Sequence, residues 1–600
     1  MSSITNVTIR FYIFSLVESV FKTLTLTLLF QPNTMFNNSH LGLAALLFLS
    51  FSFLPLKIFC QNDIQLGIPL DIPIALSGNF AELRSGHFHA GLDIKTKGRQ
   101  GLPVKAVASG SIRRIRVSTK GYGKSIYIEH NNGLTTVYAH LQKFAPKIEA
   151  LIRKYQYEKE SFEVQKFLKK GELTVNKGER IGLSGNTGGS FGPHLHYEVR
   201  DSDSQRPINP LRMGIPVEDS QRPQLQQLHL FDENENLFRS VALQKVNDSL
   251  YKTELIETGG TIGLGLSMFD RQDRSYNRNG IFSVSLYLNG QERYHYQFDQ
   301  FDFRDGQYIP LFIDYGLYVS KKRRLYKLFT PQASQMSFLT PPPSTGQLGI
   351  EEDKSYQIKI KVSDFHGNQA FIESYWNGIV RDNPVTNEDW SGAESILPDK
   401  DYLFDFDGNG VYIPKKSIFR STQLQLFPGN DQLGIRIPDI PIRKAWEVYL
   451  APPQLDSLAQ QQTAIVQLAE DGEKIFLPTQ KKEDQWTVKT KKKGIYTFAR
   501  DSIFPSVQAT NFKDQQWLSK YRYLKVAIED KESGIQSYHG SINGRWIRFE
   551  YEPKNKTLTY DFQDLTFKNA KHELRLEVTD GVGNTTVKEW TFFRKYNLNE

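Results

Sequence analysis

The stretch that decides the fold lies at residues 182–198, which read GLSGNTGGSFGPHLHYE. Its second half places His194 and His196 on either side of Leu195. On an extended strand, residues two apart project from the same face, so both imidazoles would share one face while Leu195 points into a core. Two imidazoles with this spacing can serve one site, where one binds a metal and the other reaches the reacting group.

A second cluster lies upstream and reads His89-Ala90-Gly91-Leu92-Asp93. Gly91 and the surrounding turn residues argue against a helix and predict an extended strand, on which residues 89, 91 and 93 share one face. Gly91 would then leave no side chain between the two candidate ligands. Six of the 12 histidines fall between His87 and His196, and histidine is the commonest zinc ligand. A third element, Tyr138-Ala139-His140-Leu141, ends a predicted strand.

Taken together, these motifs resemble the signature of the LytM/lysostaphin-type zinc endopeptidases. Besides residues 182–198, the matching elements are H-x-G-x-D at 89–93, Gly101-Leu-Pro-Val104 with Ala106 and Gly110, Tyr122-Gly123, and Tyr138-Ala-His140-Leu. They occur in the order of the family, over residues 66–212. The resemblance implies a compact, mostly antiparallel β domain of the duplicated hybrid motif type, with its site in a groove across the sheet.

The resemblance also implies the roles of five residues. His89, Asp93 and His196 match the zinc ligands of the family, with one zinc ion per chain and the fourth position left for water. His140 and His194 match its two catalytic histidines. Three protein ligands and an open position are typical of catalytic zinc, whereas four closed ligands are typical of structural zinc.

The expected chemistry is hydrolysis of a peptide bond. The sequence contains no H-E-x-x-H, so His140 or His194 would accept the proton from water, and the sequence leaves open which of them does so. The resemblance predicts an endopeptidase that cleaves the peptide cross-links of bacterial peptidoglycan. The alternative is a non-catalytic scaffold or regulator of other wall hydrolases with the same fold; retention of all five positions favours the enzyme.

The fold class predicted for the whole chain is mainly β. An antiparallel metallopeptidase domain at 61–215 is expected to carry a helical insertion at about 143–170, where apolar residues recur with a 3.6-residue period. Proline and polar residues at 206–223 mark its end. Short strands and Asn-Gly or Asp-Gly turns follow. They predict immunoglobulin-like domains at 222–380 and 515–600 and a β-rich domain at 385–510. A weak internal repeat relates the two immunoglobulin-like domains, in which Asp270 corresponds to Asp530 and Asp364 to Asp580.

The N-terminal 60 residues are expected to act in export. Leu41–Phe59 is an apolar run that ends at Cys60, the only cysteine, and resembles the core of a signal peptide, with Met35 as a candidate true start. A retained membrane anchor is the alternative. The net charge is +8 and the pI about 9.0, yet no nucleic-acid motif is present. We therefore expect a location in the bacterial periplasm or envelope, with an envelope protein as a candidate partner of the C-terminal β domains.

Overall fold

The structure is a computed structural model, and it describes residues 66–84, 86–330, 334–339, 345–381, 389–469 and 471–595. The predicted signal peptide and Cys60 lie outside the described residues. Residues Gln65–Glu600 form one compact unit. Within the ranges just given, no helix is both long enough and apolar enough to cross a membrane.

The first part of the chain is built from short strands joined by turns. These elements are β1 Leu76–Gly78, β2 Leu83–Arg84, β3 His87–Phe88, β4 Leu92–Lys95, β5 Pro103–Lys105, β6 Gly110–Val117, β7 Ser125–His130, β8 Leu134–Ala139, β9 Lys143–Phe144, helix α1 Pro146–Lys159, β10 Val164–Phe167, β11 Thr174–Val175, β12 Arg180–Leu183, β13 His194–Asp201, β14 Pro207–Ile208 and the 3-10 helix Pro210–Met213.

The main sheet of this part is antiparallel and has the order β1-β4-β13-β8-β7-β6-β10, with β14 beside β13 and β11 beside β6. A small sheet, β5-β12-β9, closes one side. Strands β7 and β8 are buried almost throughout, because both faces of the sheet are covered. Strand β13, with two of the predicted site histidines, lies between β4 and β8.

Helix α1 accounts for only part of the predicted insertion. Pro146 stands in its first turn, where the missing N–H is harmless, and Ile148 and Ile152 bury one face. The helix ends at Lys159, and the chain then turns back as β10 to pair with β6. The expected helical segment at 143–170 is therefore a helix followed by a strand.

The remainder of the chain is also β, which confirms the mainly β prediction. Strands at residues 224–378 form two sheets: Gln224–Phe231, Leu237–Ala242, Gly260–Gln272, Ser275–Asn279, Tyr326–Lys327 and Leu348–Ile350 in one, and Gln244–Lys245, Leu250–Lys252, Ile256–Thr258, Ser283–Leu288, Gln291–Gln297, Ser355–Ser363 and Gln369–Gly378 in the other. The helices Phe303–Tyr308 (3-10), Ile309–Phe312 and Tyr315–Lys321 lie between these strands in sequence.

Two further pairs of sheets follow. The first pair contains Glu394–Ile396, Thr422–Gly429, Gln432–Arg436, Thr463–Leu468, Lys474–Phe476 and Gly494–Arg500, and Tyr402–Phe406, Asn409–Ile413, Trp446–Leu450, Gln480–Lys481 and Trp486–Thr490, with helix Ser457–Gln462. The second contains Ser506–Ala509, Tyr523–Glu529, Glu550–Glu552 and Thr557–Asp561, and Gln516–Trp517, Ile535–Ile542, Arg545–Trp546, Lys571–Asp580 and Thr585–Phe593, with the 3-10 helix Pro553–Asn555.

The hydrophobic cores do not follow the predicted domain ends in every case. Most buried apolar residues between 66 and 376 belong to one continuous core, beside which Phe231, Leu325 and Phe329 form a small separate cluster. Residues 396–496 and 507–592 each have their own core. Phe88 packs against Phe298 and Phe301, with both ring centroids at 5.6 Å. The first β domain therefore supports the part of the chain that carries the predicted site. The domain boundaries and the immunoglobulin-like topology stay predictions.

Candidate metal centre

The three predicted ligand residues converge at the junction of β4 and β13. Asp93 pairs directly with His196 in the antiparallel register, and His89 lies just before β4. His89 Nε2 is 3.0 Å from both Asp93 Oδ1 and His196 Nδ1, and the latter two atoms are 2.9 Å apart. All three residues are buried. The sheet register therefore places a potential ligand atom of His196 beside those of His89 and Asp93, which lie about 100 residues earlier in the sequence.

The backbone around His89 differs from the predicted extended strand. Strand β3 ends at Phe88 and β4 begins at Leu92, so the intervening residues form a connection rather than one continuous strand. Gly91 also has a packing role that was not expected from the sequence. A Cβ at this position would lie 2.1 Å from the carbonyl oxygen of Tyr197, so glycine allows the chain to approach β13 closely.

Hydrogen bonds fix the tautomers of the two ligand histidines. His89 Nδ1 lies 2.7 Å from the carbonyl oxygen of Asn79, which can only accept, so Nδ1 carries the proton and Nε2 offers its lone pair. In the same way His196 Nε2 donates to Glu198 Oε1 at 2.8 Å, and its Nδ1 offers the lone pair. Such outer partners orient metal-binding imidazoles.

Charged neighbours hold the carboxylates of the site in their ionised form. Burial opposes ionisation of Asp93, but the neighbouring imidazoles, first of all His89, lower its pKa well below the usual range. Its second oxygen, Oδ2, accepts a hydrogen bond from Arg84 Nη2 at 2.8 Å. Burial likewise opposes ionisation of Glu198, but Arg200 and His196 lower its pKa to about 2.

These donors fit a zinc ion. Two imidazole nitrogens and one carboxylate oxygen are zinc ligands, and a tetrahedral ion with bonds of about 2.0–2.1 Å separates its ligands by about 3.3 Å. The observed separations of 2.9–3.0 Å are close to that spacing. The lone pairs and the Asp93 carboxylate face one another, an arrangement that a cation stabilises.

Two further imidazoles lie beside the three ligand atoms. His140 follows β8 in the left-handed region, with φ of 57°, and His194 begins β13. Their ring centroids are 4.7 Å apart. His194 Nε2 lies 3.4 Å from Asp93 Oδ1. The structure therefore gathers all five predicted site residues in one place.

Both of these imidazoles are oriented by backbone carbonyls. His140 Nδ1 donates to Thr187 O at 2.8 Å, and His194 Nδ1 donates to Gly192 O at 2.8 Å. Each neutral ring therefore presents the lone pair of Nε2. Burial, helped by the neighbouring histidines, lowers the pKa of His140 to about 3, so this side chain is neutral at pH 7.

Several residues of the site were not predicted from the sequence. Asn79 follows β1 and Arg84 ends β2, and neither residue belongs to a recognisable motif. Thr187 and Glu198 fall inside the quoted stretch at 182–198, but no role was expected of them. Tyr122, from the quoted Tyr-Gly pair, donates a hydrogen bond to Glu198 and stacks on His196 with centroids 5.1 Å apart.

The last β region contacts the same neighbourhood. Lys124 Nζ lies 2.6 Å from Glu550 Oε1, and Lys554 Nζ donates to the carbonyl of Asn186, the residue before Thr187. Tyr157 of helix α1 packs edge-on against Trp546 at 5.1 Å. The helical insertion thus lies against residues 506–593 as well as on its own domain.

Replacement of Glu198 by glutamine is expected to weaken zinc binding by about 10- to 100-fold. The variant keeps the size of the side chain but removes the charge that accepts the His196 proton and pairs with Arg200. Zinc affinity can be measured by competition with a chromogenic chelator. Glu129→Gln, a change on β7, which β8 separates from β13, is the control and should bind zinc as the parent does. Equal affinity of Glu198→Gln and the parent would contradict this role.

Comparison with known proteins agrees with the geometry. The fold and site resemble those of a metallopeptidase domain. Residues 87–157 and 151–210 match the sequence profile described as Peptidase family M23. The chain is 35% identical over 135 residues to the DD-carboxypeptidase/endopeptidase Mpg of Neisseria meningitidis, covering 22% of this chain and 25% of that protein.

Two further relatives match the same part of the chain. An uncharacterized metalloprotease of Haemophilus influenzae is 37% identical over 128 residues, which cover 21% of each protein. The peptidoglycan DD-endopeptidase ShyA of Vibrio cholerae is 34% identical over 123 residues, covering 20% of this chain and 22% of ShyA. The chain therefore spans a quarter or less of the length of these relatives.

Among solved structures, the catalytic domain of lysostaphin from Staphylococcus simulans is 28% identical. The match covers 23% of this chain and 86% of that domain, with a TM-score of 0.17.

Proposed function

We propose that this protein is a zinc-dependent endopeptidase that cleaves peptide cross-links of bacterial peptidoglycan. The observation that carries the proposal is the convergence of His89 Nε2, Asp93 Oδ1 and His196 Nδ1 within 3.0 Å, with two oriented imidazoles beside them. The matching relatives include proteins described as peptidoglycan endopeptidases, which supports the substrate class. Their action on the cell wall supports a location in the envelope.

In this proposal His89, Asp93 and His196 hold one zinc ion. When bound, zinc polarises a carbonyl and lowers the pKa of a coordinated water towards ~7. Asn79 and Glu198 keep the two imidazoles in the tautomers that offer lone pairs, and Arg84 engages the carboxylate oxygen Oδ2, leaving Oδ1 as the ligand atom.

The other two histidines move protons. In its neutral form each of His140 and His194 presents the lone pair of Nε2, because Nδ1 donates to a backbone carbonyl. One of them takes a proton from the attacking water, and the resulting imidazolium can protonate the leaving amine or stabilise the negative charge on the carbonyl oxygen. The neutral state of His140 suits it to accept a proton.

Digestion of purified peptidoglycan tests the proposal. The full chain should release peptides with new free amino groups; a chelator should stop the release, and about one equivalent of zinc should restore it. His539→Ala replaces an exposed histidine far from the site in sequence and should remain fully active. Absence of new amines with the zinc-loaded protein, or equal release with and without chelator, would overturn the proposal and favour a non-catalytic scaffold.

A further inference from the structure

Outside the metal centre, the β regions contain two clusters of aspartates. Asp219, Asp270 and Asp364 form one cluster, and Asp501, Asp530 and Asp580 form the other. In each cluster, one carboxylate oxygen from each residue lies within 4.8 Å of the others. Three negative charges at such distances repel one another strongly unless something positive lies between them.

The first cluster is buried with little protein charge to compensate it. The exposed fractions are 1% for the side chain of Asp219, 2% for Asp270 and 3% for Asp364. Among the described residues, no lysine or arginine forms an ion pair with any of the three, and the nearest imidazole nitrogen, His366 Nδ1, is 3.7 Å from Asp219 Oδ2. Burial of unpaired carboxylates is strongly unfavourable.

Two oxygen atoms at this cluster also lack hydrogen-bond donors. Asp270 Oδ1 and Gln272 Oε1 are buried and have no partner within the described ranges. Gln272 is 4% exposed and lines the same small cavity as the three aspartates. Buried polar atoms are almost always satisfied by protein, water or an ion. The cavity is therefore lined by unpartnered oxygen atoms that a bound cation would satisfy.

The second cluster repeats the architecture of the first. Asn368 Nδ2 donates to Asp364 Oδ2 at 2.7 Å and to the carbonyl of Asp219 at 3.1 Å. Correspondingly, Asn584 Nδ2 donates to Asp580 Oδ2 at 2.7 Å and to the carbonyl of Asp501 at 2.9 Å.

In each cluster, the aspartate that the asparagine does not contact has an oxygen atom without a hydrogen-bond donor. These atoms are Oδ1 of Asp270 and Oδ2 of Asp530. Because the same arrangement recurs in two separate β regions, we expect the two clusters to have the same function.

We propose that each cluster is a binding site for a divalent cation, and that the oxygen-only donor set selects calcium. Ca²⁺ takes six to eight oxygen ligands from carboxylates, amide or backbone carbonyls and water, whereas zinc prefers sites with nitrogen or sulfur. The sites are separate from the His-Asp-His centre and do not depend on its proposed activity. Their affinity should resemble that of extracellular calcium modules, with Kd of about 0.1–1 mM.

The first site would strengthen a contact between two parts of the chain. Asn79 also lines its cavity, and the Asn79 amide exchanges two hydrogen bonds with the backbone of Gly280, at 2.7 and 2.9 Å. Gly280 immediately follows the hairpin of which Asp270 is part. A cation held by Asp219, Asp270 and Asp364 would fix this hairpin against the domain that contains His89.

Calcium titration of the full chain tests the proposal. The protein is stripped with a chelator, reloaded with one equivalent of zinc, and titrated with CaCl₂ by equilibrium dialysis and by thermal unfolding. We expect two calcium ions per parent chain, and one each for Asp270→Asn and Asp530→Asn. The double variant should bind none. Calcium at 10 mM should raise Tm by about 2–4 °C for each intact site.

The variants also separate lost binding from misfolding. In chelator, Asp270→Asn should melt no lower than the parent, because the amide relieves repulsion between buried carboxylates. Asp273→Asn changes an exposed carboxylate of the same hairpin and should respond to calcium as the parent does. No calcium bound to the parent at 10 mM, or an unchanged calcium response in the double variant, would overturn the proposal.

Discussion

Replacement of His196 by alanine is expected to abolish zinc binding and to lower peptide release from purified wall by at least about 10³-fold. His196 supplies one of the three proposed protein donors, and its Nδ1 lies 2.9 Å from Oδ1 of Asp93, the proposed ligand oxygen. Its loss leaves Asp93 and Glu198 as buried carboxylates that face a void. Zinc content, measured by mass spectrometry of the dialysed protein, should fall from about one ion per chain to a small fraction.

His130→Gln is the matched control for His196→Ala. His130 is also a buried histidine of the same sheet, but it bonds to Ser109 O at 3.0 Å and to Thr136 Oγ1 at 2.8 Å, away from the predicted ligands. This variant should retain zinc even if its Tm falls. A His196→Ala protein that still holds one zinc ion and still cuts the wall would show that the cluster is not the metal centre.

The placement of the two histidines on β13 could be predicted because a strand has the simplest side-chain geometry. Residues two apart share a face, so His194 and His196 had to point the same way once Leu195 was buried. Leu195 is fully buried in the structure. The mainly β fold could be predicted for the same reason, since alternating apolar residues and glycine turns are local signals.

The connection at 89–91 shows where such reasoning fails. The sequence gives no sign of the partner strand, whose Tyr197 approaches Gly91 so closely that only glycine fits. Asn79 and Arg84 contact His89 and Asp93 from positions that depend on the complete fold. Their roles could not be predicted, because no motif or residue spacing in the sequence indicates them.

The internal repeat is an intermediate case. The sequence alone aligned Asp270 with Asp530 and placed Asp364 and Asp580 in matching turns, which predicted related β domains. It did not indicate that Asp219 and Asp501 would join them, because both residues precede the repeated segments, which begin at Asp270 and Asp530. A repeated carboxylate cluster became visible only when side-chain positions were known.

Replacement of His140 by alanine should separate proton transfer from metal binding. We expect zinc to remain at about one ion per chain, because His140 is not among the three donors, while peptide release falls by about 10²- to 10⁴-fold. The reason lies in the oriented ring: Thr187 O fixes the proton on Nδ1 at 2.8 Å, and burial keeps the ring neutral. Initial rates on purified wall, with zinc analysis of the same samples, provide the measurement.

Rescue by added imidazole is the control for the His140→Ala experiment. A small base can enter the space left by the missing ring and accept the proton, so the rate of His140→Ala should rise with imidazole concentration. The His196→Ala protein should show no such rise, since it lacks the metal. A His140→Ala protein that loses its zinc would indicate that the ring supports the metal rather than moving a proton. A rate close to that of the parent would assign proton transfer to His194, whose Nε2 already lies 3.4 Å from the ligand oxygen of Asp93.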